Sequence, residues 1–269
     1  MRTLMKIGSS LLVLAAIFVG IMYLVLRGHG VTTAASVERR AQASETRTVT
    51  KAVKAIELSG PIDLTVRYGP TPSMTVRGEQ RLLANIETTV DGGRLHIAPR
   101  GLLLSHRHPL QVELVLPVLD SIRVNGSGDI NVDGFSGESV ELQLDGSGTF
   151  KFNGRYRRAN VSLHGSGDMD LDVGNSDRVQ AQVMGSGSIT LAGSCLELVA
   201  ETTGSGELDA RHLRAESANV RQFGTGSSTV NARKSVAVSV SGNGNVDVLG
   251  NPSQRSVSRS GNGDVNFSD

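Results

Sequence analysis

The chain has 269 residues, a formal net charge of +1 at pH 7, 32 glycines, one cysteine and no tryptophan. A balance this near neutral lacks the basic stripe of a nucleic-acid surface, so no nucleic-acid partner is expected. The single Cys195 excludes an internal disulfide framework, and abundant glycine with few aromatics fits a turn-rich β architecture rather than a helical one.

Gly8 to Leu26 is free of charged side chains. At ~1.5 Å per residue it reaches across a hydrocarbon core of ~30 Å as one hydrophobic helix. Arg2 and Lys6 precede it, as in a secretory signal, but the run outlasts the ~7–15 residues of a signal core. Residues 1–27 therefore read as an uncleaved anchor contacting the lipid bilayer through residues 8–26, with a cleaved signal as the alternative. Arg27, Arg39 and Arg40 lie on the far side, so the orienting bias of basic residues is weak. Residues 28–48 are small and polar and are expected to form a tether.

From Val53 the pattern turns to period two. Ile62, Leu64 and Val66 alternate with Asp63, Thr65 and Arg67, as a half-buried strand requires. Met74 and Val76 continue after the Pro70-Thr71-Pro72 turn. Val90 to Ile97 reads as a hairpin closed at Asp91-Gly92, and Val112, Leu114 and Leu116 form a further strand ended by Pro117. Residues 49–118 are thus a leading β region, either a first layer or a cap.

Residues 119–269 repeat. A Gly-x-Gly triplet starts at Gly126, Gly146, Gly165, Gly185, Gly204, Gly224, Gly242 and Gly261, in steps of 20, 19, 20, 19, 20, 18 and 19 residues. So steady a period marks a stacked architecture in which no copy buries its apolar side alone. Counted from the first glycine, apolar residues favour offsets minus four, minus two, plus four and plus six. Examples are Ile122, Val124, Ile130 and Val132, then Leu142, Leu144, Phe150 and Phe152. Unbroken alternation would turn both glycines inward at a bend, relieving crowding, with the middle residue outward. A second turn, such as Asp133-Gly134 or Asn153-Gly154, redirects the chain. An antiparallel meander could use the same alternation, but recurrence at one phase favours a coil. Gln222 and Ser228 at inward phases break the rule without a sequence-level reason, and Arg259 suits a polar terminal cap.

The outward residues form a candidate polar ladder: Ser127, Ser147, Ser166, Ser186, Ser205, Thr225, Asn243 and Asn262. They offer a flat recognition face for a glycan, a protein or a second copy, although small polar residues also simply suit a bend beside glycine. Asp129, Asp168 and Asp264 invite comparison with calcium-binding repeats. The equivalent positions elsewhere are Thr149, Ser188, Glu207, Ser227 and Asn245, so turn chemistry explains them better. His106 and His108, with His96 nearby in sequence, lack a third ligand at metal spacing. Arg155, Arg157 and Arg158 around Tyr156 read as a solvated basic turn. No nucleophile–base pair or convergent carboxylate pair stands out, so no catalytic, cofactor or metal residues are assigned.

The order of motifs is distinctive: Ala55-Ile56-Glu57-Leu58-Ser59-Gly60-Pro61-Ile62, then Gly93-Arg94-Leu95-His96-Ile97, then Val112-Glu113-Leu114-Val115-Leu116-Pro117, running into Val124-Asn125-Gly126-Ser127-Gly128-Asp129 and its copies. In this order the chain resembles the head GIN domain family, described as heads of auto-transporter adhesins and long treated as a domain of unknown function. The resemblance covers about Val53 to Asp269. It implies a bacterial envelope protein built from right-handed β-helical turns, with no enzymatic activity assigned. The sequence stops within its last repeat, so no translocating barrel and no self-transport are expected.

The resulting expectation is an all-β solenoid, exported and membrane-tethered, that binds a surface glycan, a protein or itself. It would face the periplasm from the inner membrane, or reach the cell surface if the N-terminus is cleaved. The alternatives are a self-associating envelope scaffold and a β-helical polysaccharide-active enzyme.

Overall fold

The computed structural model describes residues 42–101 and 110–268. The hydrophobic segment expected at 8–26, most of the tether, and His106 and His108 lie outside the described residues. Among the described residues no helix is long and apolar enough to cross a membrane.

The leading region supplies β1 (Gln42–Arg47), β2 (Ala55–Ser59), β3 (Ile62–Tyr68), β4 (Ser73–Glu79), one helical turn α1 (Gln80–Leu83), β5 (Ile86–Asp91), β6 (Arg94–Pro99) and β7 (Leu110–Leu116). The repeats supply β8 (Ser121–Gly126), β9 (Ile130–Gly146), β10 (Thr149–Gly165), β11 (Asp168–Gly185), β12 (Ser188–Gly204), β13 (Glu207–Gly224) and β14 (Ser227–Gly242). The last described strands are β15 (Asn245–Leu249), β16 (Gln254–Ser260) and β17 (Val265–Phe267). The result is an all-β solenoid of about 7 turns.

From β8 to β17 every pairing is parallel, which excludes the antiparallel meander. Each rung is one bent strand running from just after one triplet to the first glycine of the next. First glycines pair in register, Gly146 with Gly165 and Gly165 with Gly185. Unequal repeat lengths are absorbed at the second corner, where the register shifts between Asn153 and Gly154 and between Asp172 and Asn175. The core therefore stays aligned while that corner varies.

The leading region is both first layer and cap, and its order in space is not its order in sequence. β2 pairs in parallel with β8 and β3 with β9, so β2–β3 forms the rung next to the first repeat. β6 and β7 stack on the other side of that rung, also parallel. Antiparallel β5, β4 and β1 then close the end. The β5–β6 hairpin turns on Gly92 and Gly93, both at positive φ, as a tight two-residue turn demands. β1 occupies residues 42–47, so the last part of the expected tether belongs to the sheet. Arg47 fixes it there: its guanidinium donates to the carbonyls of Ile86 at 2.6 Å and Leu83 at 2.8 Å.

At the triplets the structure corrects the expectation that both glycines face inward. All eight second glycines, Gly128 through Gly263, are buried, but the first glycines are partly or fully exposed. From Gly146 onward the first glycine has a positive φ, +123° at Gly165, and this reversal breaks the alternation. A Cβ on Gly165 would run into the carbonyl oxygen of Gly146 in the rung before. The crowding is thus against neighbouring backbone, not against the core.

The second glycines leave hollows that the preceding rung fills. Leu144 Cδ2 lies 2.9 Å from where a Cβ on Gly167 would stand, Leu163 Cδ2 2.9 Å from that of Gly187, and Val183 Cγ1 2.7 Å from that of Gly206. Thr202 comes next at this phase, and its hydroxyl is engaged with Ser228. Gln222 curls into the space instead, its Nε2 being 3.1 Å from the Cβ position of Gly226 and 2.9 Å from that of Gly244. This accounts for the polar exceptions. Ser228 Oγ donates to Gln222 Oε1 at 2.7 Å, and Thr202 Oγ1 lies 3.0 Å from Ser228 Oγ. All three are buried, and Gln222 Nε2 has no acceptor among the described residues.

Two outcomes follow for stability. Gly165→Val should cost about 1–3 kcal/mol from the strained φ and the blocked approach, read as a lower urea midpoint; an unchanged midpoint would refute the backbone contact. Ser228→Ala should cost about 1–3 kcal/mol by stranding the Gln222 carbonyl oxygen. Adding Gln222→Leu and Thr202→Val should recover most of that loss, because all three members of the buried network are then apolar.

Candidate functional site

Residues 127, 147, 166, 186, 205, 225, 243 and 262, the expected polar ladder, are all exposed. Their order comes from backbone bonding at the corner. The Gly146 carbonyl accepts N–H bonds from Ser166 and Gly167, both at 3.0 Å, and the Gly224 carbonyl accepts them from Asn243 at 2.9 Å and Gly244 at 2.8 Å. Each rung thus fixes the middle residue of the next, and rungs follow at ~4.8 Å.

Beside the ladder, the strand face after each triplet carries two outward columns. The first runs Gln111, Asp63, Asp129, Thr149, Asp168, Ser188, Glu207, Ser227 and Asn245. The second runs Thr65, Asn131, Lys151, Asp170, Thr190, Asp209, Thr229 and Asp247. Among the charged groups of these columns carboxylates prevail, and Lys151 is the cation. Hydrogen bonds cross between rungs: Asp129 N–H donates to Asp63 Oδ1 at 3.1 Å, and Ser188 Oγ donates to Asp168 Oδ1 at 2.5 Å. Of the aspartates that suggested calcium, Asp168 enters this cross-rung bonding through its carboxylate, and Asp129 and Asp264 through their backbone N–H. Among the described residues no cluster of three or more His, Cys, Asp or Glu side chains is placed to hold a metal ion.

Part of these columns forms a groove. Asp63, Thr65, Gln111, Asp129, Ile130, Asn131, Thr149 and Lys151 line a depression of about 380 Å³ across β7, β3, β9 and β10. Sequence reasoning missed it, because strands 66 residues apart, those of Asp63 and Asp129, become neighbours. The available signal was the shared outward phase of Asp63-x-Thr65 and Asp129-x-Asn131.

Other sequence candidates disperse. Tyr156 is not part of a solvated turn. It is buried and its hydroxyl donates to the Leu119 carbonyl at 2.6 Å, while Arg155, Arg157 and Arg158 remain exposed around it. Arg157 bonds Asp177 at 2.8 Å, which holds its guanidinium more firmly protonated. His96 lies 3.4 Å from Glu57. On the opposite side of the corner, a chain unseen in the sequence links Arg123 to Gln143 at 2.9 Å, Gln143 to Asp145 at 2.7 Å and Asp145 to His164 at 2.6 Å. A carboxylate orienting an imidazole is two parts of a nucleophile relay, but no hydroxyl or thiol bonds this imidazole among the described residues.

Comparison with known proteins places this geometry. The family described as "Putative auto-transporter adhesin, head GIN domain" matches residues 53–252. The chain belongs to this family. No curated protein matches it. Among solved structures, a putative adhesin from Parabacteroides distasonis is 21% identical, with a TM-score of 0.79, covering 86% of this chain and 98% of that one. A putative lipid binding protein from the same species is 20% identical at a TM-score of 0.79, covering 85% of this chain and 97% of that one. A putative adhesin from Parabacteroides merdae is 17% identical at a TM-score of 0.79, covering 85% and 96%. These likenesses establish a shared fold, and neither the family nor these structures is named as an enzyme.

Cys195 is buried, and desolvation, aided by Glu197, pushes its pKa from 9.0 up to about 12. Burial, with Asp120 nearby, also raises that of Tyr156. Both are acids held neutral in the folded state: the Cys195 contribution to stability is whole below pH 9 and is lost as pH rises from 9 toward 12, and that of Tyr156 starts to be lost only above pH 10. The melting temperature should fall across that window, and less steeply in Cys195→Ala. At pH 8 a thiol reagent should label Cys195 only after denaturation; rapid labelling of the folded chain would contradict its burial.

Proposed function

We propose that this chain is an exported, membrane-tethered binding module of the bacterial cell envelope, which presents one side of its β-solenoid to a ligand and carries out no catalysis. The observation that carries this reading is the exposed, in-register series of Ser, Thr and Asn at the triplet corner, beside a flat polar strand face. The family's description as an adhesin head supports it. The uncharged run at 8–26 supports tethering.

A scaffold built end to end is the second reading, favoured by β16, whose one partner strand is β14. The side chains of that strand oppose it. Arg255 and Arg259 pair with Val236 and Val240 and so stand at inward phases, where a docking rung would have to bury both charges. Arg255 lies 4.4 Å over the Phe267 ring and covers the end of the core.

The test uses the full chain on immobilised envelope glycans and surface proteins. The triple variant Ser147→Ala, Ser166→Ala, Ser186→Ala should weaken retention about tenfold, on the scale of a few lost hydrogen bonds, with an unchanged melting temperature. Unaltered retention would remove the ladder from the interface. Concentration-dependent assembly with no ligand retained would favour the scaffold.

A further inference from the structure

The groove on β7, β3, β9 and β10 brings carboxylates, amides, hydroxyls and an ammonium together on the acidic face. Three strand spacings of ~4.8 Å make it ~14 Å long, which suits a short oligomer and not a folded domain. Its volume of about 380 Å³ lies at the small end of ligand sites. Apart from Ile130, every lining side chain ends in a hydrogen-bonding group. The carboxylates of Asp63 and Asp129 accept, the Lys151 ammonium donates, and the amides and hydroxyls do both. The strands beneath are rigid, and the Asp129 N–H fixes one oxygen of Asp63.

Three observations narrow the ligand. β3 is paired by β7 and β9, and β9 by β3 and β10, so no free strand edge is open for an added peptide strand; recognition runs through side chains alone. No aromatic ring lines the groove to stack a nucleobase. Two carboxylates face one ammonium, and Asp168 and Asp170 follow in the same columns, so the field repels phosphate, sulfate and uronate. A ring bearing hydroxyls around its edges matches what remains. Resting on the reading of the chain as a binding module, we infer that this groove is a carbohydrate subsite for short oligosaccharides that are uncharged or amino-substituted, held by Asp63, Asp129, Asn131, Gln111 and Lys151.

Calorimetry on the full chain tests this with acetylated and deacetylated chito-oligosaccharides, a trigalacturonate and an oligolysine peptide. The two chito-oligosaccharides should bind and trigalacturonate should not. Asn131→Ala and Gln111→Ala should each weaken binding about tenfold, while Gln182→Ala, on the face before the triplet, leaves it unchanged. Lys151→Met removes the cation and should shift preference toward the deacetylated form. Preference for trigalacturonate, binding indifferent to the groove variants, or oligolysine binding with loss in the same variants would overturn the assignment. If the groove variants all keep full-chain retention on envelope surfaces, the subsite fails while the binding-module reading stands. Loss of retention in the ladder variant alone likewise removes the subsite and keeps the module.

Discussion

The carbonyl oxygen of each first glycine stands where the side chain of the next first glycine would begin, and from Gly126 onward it accepts N–H groups from that next triplet. Two requirements meet at one point. The column must be glycine because of space, and the register must be kept because of hydrogen bonding. A slip of one residue would set a side chain against a carbonyl and also turn the apolar row outward. Variation in rung length therefore collects at the second corner, where register shifts are tolerated. Columns of like phase on every face follow from this single alignment.

A stack built this way has two raw ends, and the chain treats them differently. At the leading end the backbone changes direction: antiparallel β4, β5 and β1 cover the parallel rungs, and Arg47 ties the edge to α1 and β5. At the other end β16 remains parallel, and its inward phase becomes charged at two positions, Arg255 and Arg259, in line with Val236 and Val240, on either side of the exposed Val257. Charge there takes the part that a covering layer takes at the first end, because another rung would have to desolvate it.

The repeat, its inward phase and the outward middle residue were legible in the sequence, since Val124, Leu144 and Val183 share one phase and all are buried. The direction of the first glycine was not. Alternation predicts an inward residue at Gly165, and only the positive φ at that position turns it out. Gln222 read as an anomaly because its partners, Ser228 and through it Thr202, are brought to it from other rungs, a cross-rung fact. The rung order of β6–β7, β2–β3 and β8–β9 was hidden for the same cause. Periodicity reports equal spacing along the chain, and this neighbourhood is built by an excursion between β3 and β8. The groove was invisible because it rests on that excursion.

That same excursion bears on recognition. In the regular stack the backbone is spent on the ladder, so outward columns are all that a partner can touch. A column repeating similar groups at each rung favours avidity over discrimination, because neighbouring positions offer nearly the same contact. Selectivity needs dissimilar groups held close together. On the acidic face such groups meet where strands from separate parts of the sequence lie side by side, bringing Gln111, Asp63, Asn131 and Lys151 onto four adjacent strands. The regular rungs thus provide a rigid, extended frame, and the seam of the fold provides the chemistry that can distinguish one ligand from another.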